Sequence, residues 1–283
     1  MTSLHDTNRT HEAASRELWF ESGGARLYAV DLGHGHPVVF LHGGLADHRS
    51  ALFRVGALAA SQRVLAPDLR GSGRSIYRGA MSWDELADDV CALLDHVKID
   101  RTIVGGVSAG SAVALRFALR HPERTLGLIL MAPVYAGQDR GLTDAQTAAF
   151  RLMDEAGQRA LEQGVESLRP LYARLPQPIR QRAIEMMLGF DAASVAATMR
   201  FLASGLQPID AAQELAAIDV PVLLVPGTDA EHPPEVSRLY LQHIRRHVVV
   251  DPTSADLAER IEAFCRAIFN SDYRALPASP RSQ

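Results

Sequence analysis

Residues 105–111, Gly105-Gly106-Val107-Ser108-Ala109-Gly110-Ser111, constrain the fold more than any other stretch of the chain. A β-branched run (Thr102, Ile103, Val104) precedes them and a helix-favouring run over 112–120 follows. Read as strand, tight turn and helix, the segment carries a G-x-S-x-G turn. Such a turn holds its serine in a strained backbone conformation that only small neighbours tolerate, with the hydroxyl at the carboxyl edge of a sheet. Gly106 and Gly110 let strand and helix pass closely, and the helix start aims free N–H groups and its positive dipole end at Ser108. The alternative is a glycine-rich packing turn with an idle serine, and the strand before and helix after argue against it.

The remaining chain alternates in the same manner. Residues 17–20 and 26–31 are short β-like runs about Ser22-Gly23-Gly24, a hairpin at a sheet edge. Residues 37–41 form a continuous apolar run, the mark of a strand covered on both faces, and end in His42-Gly43-Gly44. A helix is predicted over 52–60 and a strand over 63–66, which leads into Asp68-Leu69-Arg70-Gly71-Ser72-Gly73-Arg74-Ser75. The apolar spacing of Leu86, Val90, Leu93, Leu94 and Val97 predicts a helix over 83–97 with one buried face. The helix after Ser108 closes near His121-Pro122, which makes His121 a helix-end residue. Residues 126–131 are another fully apolar strand. Strands return over 220–225 and 247–250, with a helix over 234–245 between them, and Ser254 is expected to cap a last helix. This alternation calls for a mostly parallel sheet with helices on both faces.

From residue 135 to about 206 no β-like run occurs and several helical ones do, which predicts an inserted helical cap. The expected organisation is a polar leader over 1–16, an α/β core over 17–134 and 207–270, the cap over 135–206 and a polar tail over 271–283. With 283 residues, 47% of them hydrophobic, the chain can bury a large core without metals or disulfides. A net charge of −4 argues against nucleic-acid or anionic-membrane partners held by bulk electrostatics, and Arg70, Arg74 and Arg78 read as solvated surface. The two cysteines, Cys91 and Cys265, sit in helical patterns and read as buried thiols rather than a bridge. No signal-peptide pattern is visible and the longest apolar run is far short of a membrane span, so a cytoplasmic location is expected.

Four motifs in this order, His42-Gly43-Gly44, Asp68 to Ser75, the Ser108 turn and a strand ending in Gly227-Thr228-Asp229, resemble the α/β-hydrolase fold family from about residue 17 to 269. The resemblance implies an eight-stranded, mostly parallel sheet with a helical cap after the sixth strand. It also implies a serine nucleophile with acid and histidine partners in the chain order Ser, Asp, His. Ser108 matches the nucleophile, and the backbone N–H groups of Ala109 and Gly44 match the oxyanion-hole donors, with His42 a loop-bracing residue. Asp229 matches the acid, although the family pattern has one more residue between Gly and Asp; a loop Asp capping the following helix is the other reading, with Glu231 the fallback carboxylate. No metal or other cofactor is implied.

The histidine departs from the family pattern. The loop expected to carry it, Asp251-Pro252-Thr253-Ser254-Ala255-Asp256, has none, and no histidine follows His247. A serine without a base is a poor nucleophile near neutral pH. His232, in the loop beside Asp229, is the expected substitute; His48 is read as a surface residue, and His243 and His247 fall on the wrong sheet edge. The reading is a hydrolase of a small ester, thioester or lactone, acting through an acyl-enzyme on Ser108. Met153, Met186, Met187, Phe190, Met199 and Phe201 are expected to wall an apolar pocket or to hold the cap together. The expected partner is a small-molecule acyl substrate, with a homo-oligomer left open. A proline iminopeptidase is disfavoured because its His-Gly-Gly-Pro-Gly run is here His42-Gly43-Gly44-Leu45-Ala46. The rivals are a catalytically impaired ligand-binding protein on the same fold, and a lyase or carbon–carbon bond hydrolase using the same pocket.

Overall fold

The structure is a computed structural model that describes residues 15–173 and 175–270. Its frame is an eight-stranded sheet: β1 (Ser15–Ser22), β2 (Ala25–Gly33), β3 (His36–Leu41), β4 (Gln62–Pro67), β5 (Thr102–Val107), β6 (Thr125–Met131), β7 (Val222–Val225) and β8 (His247–Val249). The strands lie in the order β1-β2-β4-β3-β5-β6-β7-β8. The β1–β2 hairpin and the β2–β4 pair are antiparallel, and every other pairing is parallel. Ser15 and Arg16 belong to β1 rather than to a leader, because Arg16 reaches the Asp31 carboxylate across the hairpin at 2.6 Å. The rest of the expected leader and the expected tail lie outside the described residues.

Neighbouring residues of each central strand bury on opposite faces, as the two-residue period of a strand requires. Val39, Leu41, Val104, Leu128 and Leu224 enter one apolar cluster, and Val38, Phe40, Ile103, Ile129 and Leu223 the other. The second face is covered by α1 (His48–Val55) and, at the end of the chain, by a helix over Leu257–Phe269. The first is covered by α2 (Trp83–His96), α3 (Ala109–Arg120) and the helix over Pro234–His243. Continuous apolar strands are therefore a consequence of double coverage.

Between β6 and β7 the chain contains α4 (Asp144–Gln163), a 3₁₀ stretch (Val165–Tyr172), α5 (Ile179–Met187) and α6 (Ala192–Ala203), with no strand among the described residues there. A capping box starts α4: Thr143 accepts from the Gln146 backbone while the Gln146 side chain accepts from the Thr143 backbone. Gly157 lets α4 and α6 approach, since a Cβ there would meet Ala196 Cα at 3.2 Å. The helices over Pro234–His243 and Leu257–Phe269 are hereafter α7 and α8.

Several local expectations are corrected. The single helix over 52–60 is α1 followed by a 3₁₀ turn, Gly56–Ala60. The last helix starts at Leu257 after Asp256, and Ser254 spends its hydroxyl on the Asp256 carboxylate instead of capping. Arg70 is not solvated surface: its side chain is 1% exposed and forks onto Asp89 of α2 at 2.6 and 3.0 Å. Both cysteines are free; Cys265 is buried, which pushes its thiol up to about 12, and Cys91 is half-buried. No single described helix is long and apolar enough to cross a membrane.

Candidate active site

Ser108 occupies the junction of β5 and α3 with φ 55° and ψ −120°. A left-handed backbone at a non-glycine costs on the order of 1–3 kcal/mol and persists only where the surroundings hold it. Here they do. Ser108 N–H donates to Met131 O at 3.0 Å, and its carbonyl accepts from the Ser111 hydroxyl at 2.7 Å. The flanking glycines leave no slack: a Cβ on Gly106 would lie 2.4 Å from the Gly110 carbonyl, and one on Gly110 would lie 2.4 Å from the His42 carbonyl oxygen. The helix thus begins hard against the ends of β3 and β5, with Ser108 facing a cavity.

Asp229 and His232 come from one turn, the loop between β7 and α7. Asp229 Oδ1 accepts from Glu231 N–H at 3.0 Å and His232 N–H at 2.9 Å, and contacts His232 Nδ1 at 2.7 Å. On its far side the imidazole places Nε2 2.9 Å from Ser108 Oγ. A carboxylate can only accept, so Nδ1 carries the proton and Nε2 is left to accept from the serine hydroxyl. Burial pushes the Asp229 carboxyl up, but the charge and hydrogen bonds of His232 outweigh it and hold the pKa below its ordinary value. Ser108, Asp229 and His232 are therefore brought together in one hydrogen-bonded line, although Asp229 remains 63% exposed. Glu231 lines the same cavity.

Gly227 explains why the turn can seat its histidine so close. A Cβ there would lie 2.2 Å from His232 O and 2.4 Å from His232 Cβ, so only glycine fits beneath the imidazole. Gln146, which sequence reasoning missed, holds the turn from above: its side-chain amide donates to Glu231 O at 3.1 Å and to Val134 O at 2.7 Å. Nothing in a helix-forming segment marks such a residue, apart from its place at the third position of a capping box.

Gly44 and Ala109 both line the cavity, and neither backbone N–H has a hydrogen-bond partner among the described residues. His42 braces the first of them. Its Nε2 accepts from Leu69 N–H at 3.0 Å, leaving Nδ1–H to donate to Gly43 O at 2.7 Å. That carbonyl belongs to the peptide whose N–H is Gly44's. In a planar trans peptide, fixing one fixes the other. Burial lowers the His42 pKa, which keeps the ring neutral, as its acceptor role demands.

The cavity measures about 410 Å³ and is walled by Met131, Val134, Tyr135, Phe150, Met153 and Leu202. Of the six side chains expected to form an apolar wall, Met153 alone lines it; Met186, Met187, Met199 and Phe201 are buried in packing, and Phe190 lies by a separate small cleft. His48 is not a surface residue: its backbone N–H and Nδ1 both meet Asp68 Oδ1, at 2.7 and 2.8 Å. Asp68 also accepts from Arg74 N–H at 2.7 Å; burial raises its pKa, but these bonds and the His48 charge hold it below the ordinary value. The Asp68 to Ser75 motif is thus a knot of buried bonds beneath the site. His243 ends α7, and His247, at the start of β8, bonds Ile244 O at 2.7 Å.

Residues 36–252 match the α/β hydrolase fold family. The dihydrolipoyllysine-residue acetyltransferase component of an acetoin cleaving system from Pseudomonas putida is 41% identical over 123 residues, 42% of this chain and 30% of that protein. The AB hydrolase superfamily protein YisY of Bacillus subtilis is 29% identical over 220 residues, 71% and 76% of the two chains. The 2-hydroxy-6-oxo-2,4-heptadienoate hydrolase of Pseudomonas putida is 34% identical over 137 residues, 46% and 48%. The match thus spans less than half the length of the first and third of these relatives. Among solved structures, an esterase from Thermogutta terrifontis aligns with a TM-score of 0.71 at 23% identity, covering 91% of this chain and 99% of that one. An enol-lactonase from Burkholderia xenovorans aligns at 0.71 and 21%, covering 92% and 100%. Sheet order, the serine turn and the matched span agree: the chain belongs to the α/β-hydrolase fold family.

Proposed function

We propose that this protein is a hydrolase of small esters, thioesters or lactones that works through an acyl-enzyme on Ser108. The observation that carries the reading is the line from Asp229 Oδ1 through His232 to Ser108 Oγ, with contacts of 2.7 and 2.9 Å. Ser108 Oγ attacks the substrate carbonyl carbon while its proton passes to His232 Nε2. The oxyanion forms between the N–H groups of Gly44 and Ala109, each contributing on the order of 3 kcal/mol to the transition state. Collapse expels the alcohol or thiol, which takes the proton from His232. Water then attacks the acyl carbonyl, again through His232, and releases the acid. Asp229 fixes the tautomer and offsets the charge on the imidazolium.

The residues take over the tasks of the family's triad without its usual histidine loop, because one turn supplies both acid and base. A histidine nitrogen 2.9 Å from the serine hydroxyl weighs against the ligand-binding alternative. A second reading, a carbon–carbon bond hydrolase, is favoured by relatives such as the 34% identical Pseudomonas putida protein, which is named a 2-hydroxy-6-oxo-2,4-heptadienoate hydrolase. The test is intact mass spectrometry during turnover of short-chain p-nitrophenyl esters, a thioester and a lactone, beside one 2-hydroxy-6-oxo dienoate. An acyl adduct on the wild type that Ser108→Ala lacks is the expected result. Turnover of the dienoate alone would replace the ester reading with the second.

A further inference from the structure

Two polar groups of the segment between β6 and β7 reach carbonyls in the site's own loops, and neither is needed to line the cavity's apolar wall. Tyr172 is 6% exposed, and its hydroxyl donates to Leu45 O at 2.8 Å. Leu45 holds φ 53°, one of four non-glycine residues with positive φ among the described residues, and follows directly on Gly44. A leucine pays for this conformation where glycine would not, so something outside the loop must hold it. His42 grips the carbonyl of the peptide that carries the Gly44 N–H, and Tyr172 grips the Leu45 carbonyl two peptides further on, so the short run from Gly43 to Leu45 is held at both ends. Leu202 of α6 closes over the same glycine, 3.2 Å from where a Cβ would stand. On the opposite wall, Gln146 of α4 grips Glu231 O, the carbonyl of the peptide whose N–H is His232's. That N–H is held by Asp229 at 2.9 Å, so this peptide is fixed at both ends.

We infer that Tyr172 and Gln146 are positioning residues: Tyr172 holds the Leu45 turn that presents the oxyanion-binding N–H of Gly44, and Gln146 sets the plane of the His232 peptide. The inference rests on the proposed acyl-enzyme chemistry and deepens it. Helices that follow β6 then do more than enclose substrate, because their seating assembles both halves of the catalytic apparatus. Tyr172 remains un-ionised because burial pushes its phenol well above the ordinary range, so it serves as a donor at all working pH values.

Tyr172→Phe keeps the ring and removes only the donor. Its expected signature is a split: kcat on a p-nitrophenyl ester falls about tenfold or more while KM changes less than twofold. Affinity for an alkyl boronic acid, whose tetrahedral adduct mimics the oxyanion, falls by a similar factor. Gln146→Met, which removes the amide, is expected to slow kcat and to slow Ser108 labelling by a fluorophosphonate. Amide exchange of residues 42–47 in the full protein supplies an activity-free readout, and it should quicken in Tyr172→Phe and remain unchanged in Gln146→Met. The inference is overturned if Tyr172→Phe retains kcat, boronate affinity and exchange protection, or if its losses match those of KM and disappear with a restored melting temperature. A wild type that hydrolyses no ester and forms no Ser108 adduct would instead sink the underlying function, whatever the exchange data show for the loop.

Discussion

The two halves of the candidate site are built differently. Ser108 is fixed by backbone: a strand end, a helix start and two glycines without room for a methyl group surround it. Its proposed base and acid share a single surface turn, four residues from Asp229 to His232, with the Asp229 side chain 63% exposed. The contrast teaches where tolerance lies. Ser108 cannot be moved without breaking the sheet, whereas His232 is placed by the bonds of one loop.

The largest expected effect is Ser108→Ala, which should lower kcat on a responsive ester by about 10⁶-fold while the fold, monitored by thermal unfolding, is kept. Smaller, and more telling about the soft half, is Gly227→Ala. The added methyl must push His232 away, and a displacement near 1 Å at a reacting group costs about 10²-fold. Steady-state kinetics should record that loss in kcat; an active variant would mean the turn yields elsewhere.

Asp229→Asn should do less still. Loss of a buried triad acid costs about 10⁴-fold in a well-studied protease, but an acid this exposed acts through screened charge, so a drop of about tenfold is expected. Measured kcat near the larger figure would show that Asp229 fixes the tautomer as strictly as a buried acid does. The smallest effect concerns stability. His42 has a pKa lowered by burial, so below about pH 6.5 the unfolded chain binds the proton more readily than the folded one. Stability contributed by the neutral ring is present above that pH and declines as pH falls toward the folded pKa. Thermal midpoints at pH 7.5 and 5.5 should therefore differ more in the wild type than in His42→Gln.

Much of this was legible in the residues because certain positions tolerate so little. The strand, turn and helix about Ser108 follow from glycines whose missing side chains are demanded by contacts of 2.4 Å. His232 is reached by elimination, since no histidine follows His247, and the structure sets it between Asp229 and Ser108. Other features have no local mark. Arg70 reads as surface from its charge, yet its partner Asp89 lies on a helix 19 residues on, where pairing cannot be read from spacing. His48 is hidden for the same reason, its carboxylate 20 residues away. Gln146 and Tyr172 reach across 85 and 127 positions to bare carbonyls, which every residue possesses and no sequence pattern singles out.

In the proposed mechanism His232 activates Ser108. The most direct measurement is the rate of fluorophosphonate addition, followed by intact mass, on the wild type, Ser108→Ala and His232→Ala at one pH. A single label on the wild type, none on Ser108→Ala and labelling slowed by at least about 10²-fold on His232→Ala are expected. Labelling of His232→Ala at the wild-type rate would contradict this mechanism and assign the base to another residue.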